Sequence, residues 1–175
     1  MFTKPEQNIL HLGLQEGMRV ADFGAGTGFY SRAVSKRVGN SGKVYAVEVQ
    51  KDLVKKLESE IKHWGVSNIE CIWGDVEVKG GTKISDNSMD VVIVSNILFQ
   101  NEDKLGLIDE VRRILKKGGK VLIVDWITPI GGIGPEPKHL ISENKAKELF
   151  EKRGFKFIES LSPSAHHYGI IFTHE

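Results

Sequence analysis

The sequence is poor in the features that mark several protein classes. It holds one cysteine, Cys71, so neither an intrachain disulfide nor a cysteine-rich metal site can form. That usage fits a reducing compartment, and a cytoplasmic location is expected. Net charge is nearly absent: 24 Lys+Arg against 23 Asp+Glu leave +1. Such a balance indicates no nucleic-acid or acidic-membrane partner, although a local patch can hide in a neutral total. Long apolar runs are absent too. The longest, such as Val91–Val94 and Val121–Val124, are strand-length and too short to cross a bilayer. Met1–Asn8 is mostly polar, which predicts no signal peptide. No internal repeat or low-complexity tract occurs.

What remains is an ordinary globular composition, 40% hydrophobic and 27% charged over 175 residues. That length suits one domain, and residues 1–175 are read as one. Short apolar runs alternate with helical periods. Met18–Phe23, Lys43–Val47, Ile69–Ile72, Val91–Val94 and Lys120–Trp126 read as strands, the fourth apolar throughout as in a buried parallel sheet. A helix over about Pro5–Leu12, in an N-terminal segment of residues 1–15, precedes the first strand. Tyr30–Val38 and Asp52–His63 read as helices, the latter with Leu53, Leu57 and Ile61 on one face. A further helix is expected to start at an Asn101 N-cap, to present Leu105, Ile108, Val111 and Leu115, and to stop at Gly118-Gly119.

After the fifth strand, residues 127–141 form a loop with Pro129, Pro135 and Pro137. A helix capped by Ser142 then runs through Arg153. Phe155–Leu161 and Tyr168–Thr173 close the chain, joined only by Ser162–His167. That join is too short for a crossover, so the last two strands are antiparallel. The expected fold is therefore α/β: a Rossmann-like, doubly wound, mostly parallel seven-stranded sheet with a C-terminal antiparallel hairpin.

The sharpest motif is Val20-Ala21-Asp22-Phe23-Gly24-Ala25-Gly26-Thr27-Gly28, between the first strand and its helix. Glycines there permit a tight turn and close approach of backbone to ligand. A glycine turn alone can be purely structural. Here Glu48 ends the second strand, where a carboxylate can accept both hydroxyls of a ribose. A nicotinamide dehydrogenase would show G-x-G-x-x-G, whereas these glycines are spaced G-x-G-x-G with Phe29 following. The chain is also short for an added substrate domain.

The run Val20–Gly28 resembles motif I of class I S-adenosylmethionine-dependent methyltransferases, and the resemblance covers nearly the whole chain. It implies S-adenosylmethionine as cofactor and S-adenosylhomocysteine as product. Asp22 would position the methionine amino end, with Gly24, Ala25, Gly26, Thr27 and Gly28 beneath the cofactor. Glu48, with Val49 beside it, would hold the ribose, and Asp75 with Val76 the adenine. Ser95 and Asn96 would flank the cofactor toward the acceptor. Leu115–Lys120 resembles the helix-to-strand-five signature, and the ending resembles the small quinone-C-methyltransferase-like (type 11) group.

Ligands of doubly wound sheets bind beyond the carboxyl ends of the parallel strands. The last strand runs antiparallel, so His166, His167 and Tyr168 fall at that edge and are the candidate catalytic residues on the acceptor side. Alternation sends His167 to the opposite face from His166 and Tyr168. A histidine there could take a proton from the acceptor; the plain alternative is hydrogen-bonded strand-end structure. Trp126 could stack on an acceptor ring or be core. No metal is expected. A small-molecule or lipid-like acceptor is the leading expectation. An RNA or protein acceptor, or a non-catalytic binding domain, is the alternative. The short N-terminal segment predicts an open site that a bulky acceptor or a partner subunit, as in a homodimer, would cover.

Overall fold

The computed structural model describes residues 3–175. The chain forms α1 (Pro5–Asn8), continued by a 3-10 turn at Ile9–Leu12, then β1 (Arg19–Phe23), α2 (Phe29–Val38), β2 (Lys43–Glu48), α3 (Lys51–Trp64) and β3 (Ile69–Trp73). The second half comprises β4 (Met89–Ser95), α4 (Lys104–Ile114), β5 (Leu115–Trp126), a 3-10 turn at Pro137–His139, α5 (Glu143–Glu151), β6 (Phe155–Ser164) and β7 (His167–His174). The strands make one seven-stranded sheet in the order β3-β2-β1-β4-β5-β7-β6. β1 to β5 run parallel, and β7 is antiparallel to both β5 and β6. This is the Rossmann-like architecture expected, terminal hairpin included.

Val91, Val92, Ile93 and Val94 are almost wholly buried because both faces of β4 are covered. One apolar cluster packs Val92, Val94, Val121 and Ile123 against Leu107, Ile108 and Phe150. The other packs Val91, Ile93, Leu122 and Val124 with Ile9, Leu12, Tyr30 and Val34. Sheet order reverses between β1 and β4, so a crevice opens at their carboxyl ends, the place where doubly wound sheets bind ligands.

Three local expectations are corrected. First, α4 is capped by Asp103, whose carboxylate accepts from the Gly106 amide at 2.8 Å. Asn101 is committed elsewhere and its side-chain amide donates to Glu77 at 2.8 Å. Second, α4 ends at Ile114 and β5 begins at Leu115, so Gly118-Gly119 lie inside a strand rather than ending a helix. Leu115 pairs with Met89 and Lys120 with Val91; the residues between bulge out. Third, Val54 rather than Leu53 completes the buried stripe of α3 with Leu57 and Ile61, and Leu53 turns to the crevice. The hairpin strands are also longer than expected, leaving only Ala165-His166 between them.

Candidate functional site

The crevice is a cavity of roughly 880 Å³, within the range of cofactor and drug-sized pockets. Asp22, Gly24, Ala25, Gly26, Thr27, Glu48, Val49, Asp75, Val76, Ser95 and Asn96 all line it. Gly28, expected with them, does not. A Cβ at Gly28 would overlap Leu57 and press on Trp64, so this glycine lets α2 and α3 pack closely.

Each polar group is held by local structure. Glu48 ends β2 and is buried, with its two carboxylate oxygens accepting from the amides of Gly26 (3.1 Å) and Gln50 (2.9 Å). It therefore ties the glycine turn to the start of α3. Asp22 is 2% exposed and accepts from the Ser31 hydroxyl at 2.6 Å. Burial drives its carboxyl up to about 6, against the lowering effect of Ser31. Among the described residues no lysine or arginine pairs with it. A cation entering the cavity would do so, which fits an ammonium ligand.

Two further features suit S-adenosylmethionine. Gly24 has φ +68, and a Cβ there would overlap Ile97, so only glycine leaves this part of the cradle clear. The Asn96 side-chain oxygen is buried without a hydrogen-bond partner among the described residues, and its backbone is left-handed at φ 57. An unpaired buried acceptor beside the crevice is the group a ligand's N–H or O–H would satisfy. The residues fit the chemistry of the cofactor: the Asp22 carboxylate would meet an ammonium, the Glu48 carboxylate ribose hydroxyls, and the Asp75–Val76 turn a base. That turn is made rigid by the Asp75 carboxylate accepting from the Glu77 amide at 2.9 Å.

The other half of the cavity is lined by Tyr30, Phe29, Thr3, Pro5, Gln100 and Trp126. The Tyr30 hydroxyl accepts from Asn8 at 2.7 Å, linking α1 to α2. Its acidity is lowered chiefly by burial. Trp126 is 7% exposed and its indole lies 4.1 Å, centroid to centroid, from the His167 imidazole. Gly134, at φ +110, fits against the indole where any side chain would crowd it.

His166, His167 and Tyr168 do not line this cavity. His167 packs against Trp126, 1% exposed, with Nδ1 2.9 Å from the Ser164 hydroxyl and Nε2 without a partner among the described residues. Burial, aided by His166, lowers its pKa to about 4. Tyr168 packs in the apolar cluster on the opposite face, its hydroxyl also without a partner among the described residues. His166 sits in the hairpin turn with a buried Nδ1 that has no partner among the described residues. Asp125 is buried, accepts from the amides of Trp126 (2.7 Å) and Phe99 (3.2 Å), and is raised to about 6 by burial. It braces the loop after β4.

Sequence reasoning did not find Tyr30, Ser31, Gln50 or Glu77. Tyr30 and Ser31 open the first turn of α2, which faces the crevice. Position after the glycine turn was the available signal, but these residue types carry none.

A family model described as a methyltransferase domain matches residues 14–154. The chain belongs to the class I S-adenosylmethionine-dependent methyltransferase family. The matched span runs from before β1 to just past α5 and includes every crevice residue except Thr3 and Pro5. The ubiquinone/menaquinone biosynthesis C-methyltransferase UbiE of Idiomarina loihiensis is 29% identical over 119 residues, covering 67% of this chain and 46% of that protein. The demethylmenaquinone methyltransferase of a Geobacillus species is 27% identical over 124 residues, covering 71% and 52%. The chain thus spans about half the length of these curated relatives. A crystal structure of a SAM-dependent methyltransferase from Aquifex aeolicus superposes with a TM-score of 0.90 at 27% identity, over 99% of this chain and 90% of that one.

Proposed function

We propose that this chain binds S-adenosylmethionine in the crevice and transfers its methyl group to a small-molecule or lipid-like acceptor held against Trp126. The observation that carries the reading is the buried Asp22 carboxylate, without a cationic partner among the described residues, beside the glycine turn that Glu48 fastens. The quinone-biosynthesis methyltransferases among its relatives support a ring-bearing, largely apolar acceptor. When bound, the cofactor supplies a methyl carbon on a positively charged sulfur, already activated for displacement.

The protein's part is placement. Asp22 and Glu48 fix the two polar ends of the cofactor, and the glycines let the backbone approach it. Trp126, Phe29 and Pro5 offer apolar surface to the acceptor and exclude water, which favours alignment of the reacting atoms. His167 enters as support for the Trp126 indole; its depressed pKa suits it poorly to proton transfer near neutrality. Among the described residues no helix is long and apolar enough to cross a membrane.

The test is methyl transfer from methyl-labelled S-adenosylmethionine to a panel of phenolic, quinol and fatty-chain acceptors. Label incorporated into a ring-bearing acceptor, and lost in Asp22→Ala, supports the reading. Cofactor binding with no transfer to any acceptor class, including RNA and protein, moves the assignment to a binding domain.

A further inference from the structure

Two loops make one wall of the crevice. Residues 74–86 follow β3, and residues 96–103 follow β4. Gly74–Glu77 and part of 96–101 face the cavity. Where they do so, each loop is tied to the sheet by its first residue, the Gly74 amide donating to the Glu48 carbonyl of β2 (3.1 Å) and the Asn96 amide to the Val124 carbonyl of β5 (2.8 Å). Among the described residues, the hydrogen bonds between the two loops all come from one side chain. Glu77 accepts from the Asn101 side-chain amide through one oxygen (2.8 Å) and from the Asp103 main-chain amide through the other (2.7 Å). Its own amide is bound to the Asp75 carboxylate. Its carbonyl lies so close to Gly106 that a side chain there would overlap it. An unbroken line of contacts thus runs from Asp75, through Glu77, to the N-terminus of α4.

The far end of the first loop is fastened separately. Glu110 accepts from the Gly80 amide (2.9 Å) and the Thr82 hydroxyl (2.6 Å) and is paired with Arg113 at 2.7 Å. That anchor is outside the crevice. The loop therefore has two carboxylate fastenings, and Glu77 is the one at the site.

We propose that Glu77 is a positioning residue of the cofactor crevice: its carboxylate clasps the 74–77 and 96–103 segments so that Asp75 and Asn96 are held at the separation one bound molecule requires. The assignment rests on the cofactor reading above and adds the residue that sets the width of its pocket. A carboxylate is suited to the task because it offers an acceptor oxygen to each loop. Glutamine keeps one acceptor and turns an N–H toward the other donor; alanine keeps none.

The experiment is calorimetric binding of S-adenosylhomocysteine to the purified chain and to Glu77→Ala, Glu77→Gln and Asp103→Ala, with apo-state hydrogen exchange on the same proteins. Asp103→Ala removes the α4 cap but leaves the main-chain amide that Glu77 holds, so it controls for loss of stability. The clasp predicts binding weakened at least tenfold in Glu77→Ala and less in Glu77→Gln. It predicts a dissociation constant within about twofold of the parent in Asp103→Ala despite a lower Tm. It also predicts faster exchange in both loops of apo Glu77→Ala. Unchanged binding in Glu77→Ala, or equal weakening in Asp103→Ala, would overturn it. If the parent chain binds no S-adenosylhomocysteine, the cofactor reading fails by itself. The exchange data then decide the clasp: loosening of both loops upholds it, and change in one loop or neither sinks it.

Discussion

The two halves of the crevice are built by different means. At the ends of β1 and β2 the parts are main-chain amides, glycines with positive φ and two buried carboxylates, each tied to a specific neighbour. At the ends of β5 and β7 the parts are rings, with Trp126 resting on His167 and the 127–141 loop lying over it through Gly134. A ligand with fixed charges and hydroxyls needs polar partners at set spacings, and those spacings appear as a motif. An apolar acceptor needs shape, and many sequences supply the same shape. The first half is therefore rigid in chemistry, and the second is open to change.

If that contrast holds, the largest effect belongs to Gly24. Gly24→Ala puts a Cβ into Ile97 and an L-residue into left-handed backbone, which is expected to cost about 3 kcal/mol of stability and most of the cofactor affinity. Thermal melts and calorimetry check both; a variant as stable as the parent would show that the turn is not constrained as described.

A smaller effect separates the halves by pH. Asp22 must be ionised to hold an ammonium, and its carboxyl titrates near 6 in the free protein. Affinity for S-adenosylhomocysteine should therefore fall about tenfold between pH 7 and pH 5 (about 1.4 kcal/mol). In Asp22→Asn binding is weak and flat across that range. In the free protein the sign is opposite: a raised carboxyl stabilises the fold as pH drops through 6, because the folded state takes up the proton first.

His167 works the other way. Its pKa is depressed to about 4, so the stability it allows at neutral pH is lost as pH falls from its unfolded value near 6.5 toward 4. His167→Phe should remove that loss, making the variant more acid-tolerant than the parent by roughly 1–2 kcal/mol at pH 5. Denaturant melts at pH 7 and pH 5 check this. The smallest change is expected from Trp126→Phe. It should cost about 1 kcal/mol of stability and leave S-adenosylhomocysteine affinity within about twofold while altering acceptor preference. A large loss of cofactor affinity there would erase the distinction between the halves.

The sheet was legible because its strands are short apolar runs punctuated by glycine and polar turns, and because the Ser162–His167 join forbids a crossover. The α4–β5 junction was not, because Gly118-Gly119 serve a bulge as readily as a helix stop, and because Asn101 and Asp103 are both fit caps until Glu77 takes the Asn101 side chain and leaves the Asp103 carboxylate free to cap. The crevice residues drawn from the glycine turn, Glu48 and Asp75 were legible since main-chain geometry depends on them. Strand alternation placed His167 and Tyr168 on opposite faces. It could not show that Trp126 stands between His167 and the cavity, which depends on the tilt of rings packed across β5 and β7.

The central claim is that the crevice holds S-adenosylmethionine through Asp22 and Glu48. Its most direct test is calorimetric titration of the purified chain with S-adenosylmethionine and S-adenosylhomocysteine, beside Asp22→Ala and Glu48→Ala. Micromolar, one-to-one binding weakened at least tenfold by either change (about 1.4 kcal/mol or more) is the predicted result. A folded parent that binds neither compound, or binds them equally well without both carboxylates, would contradict the account.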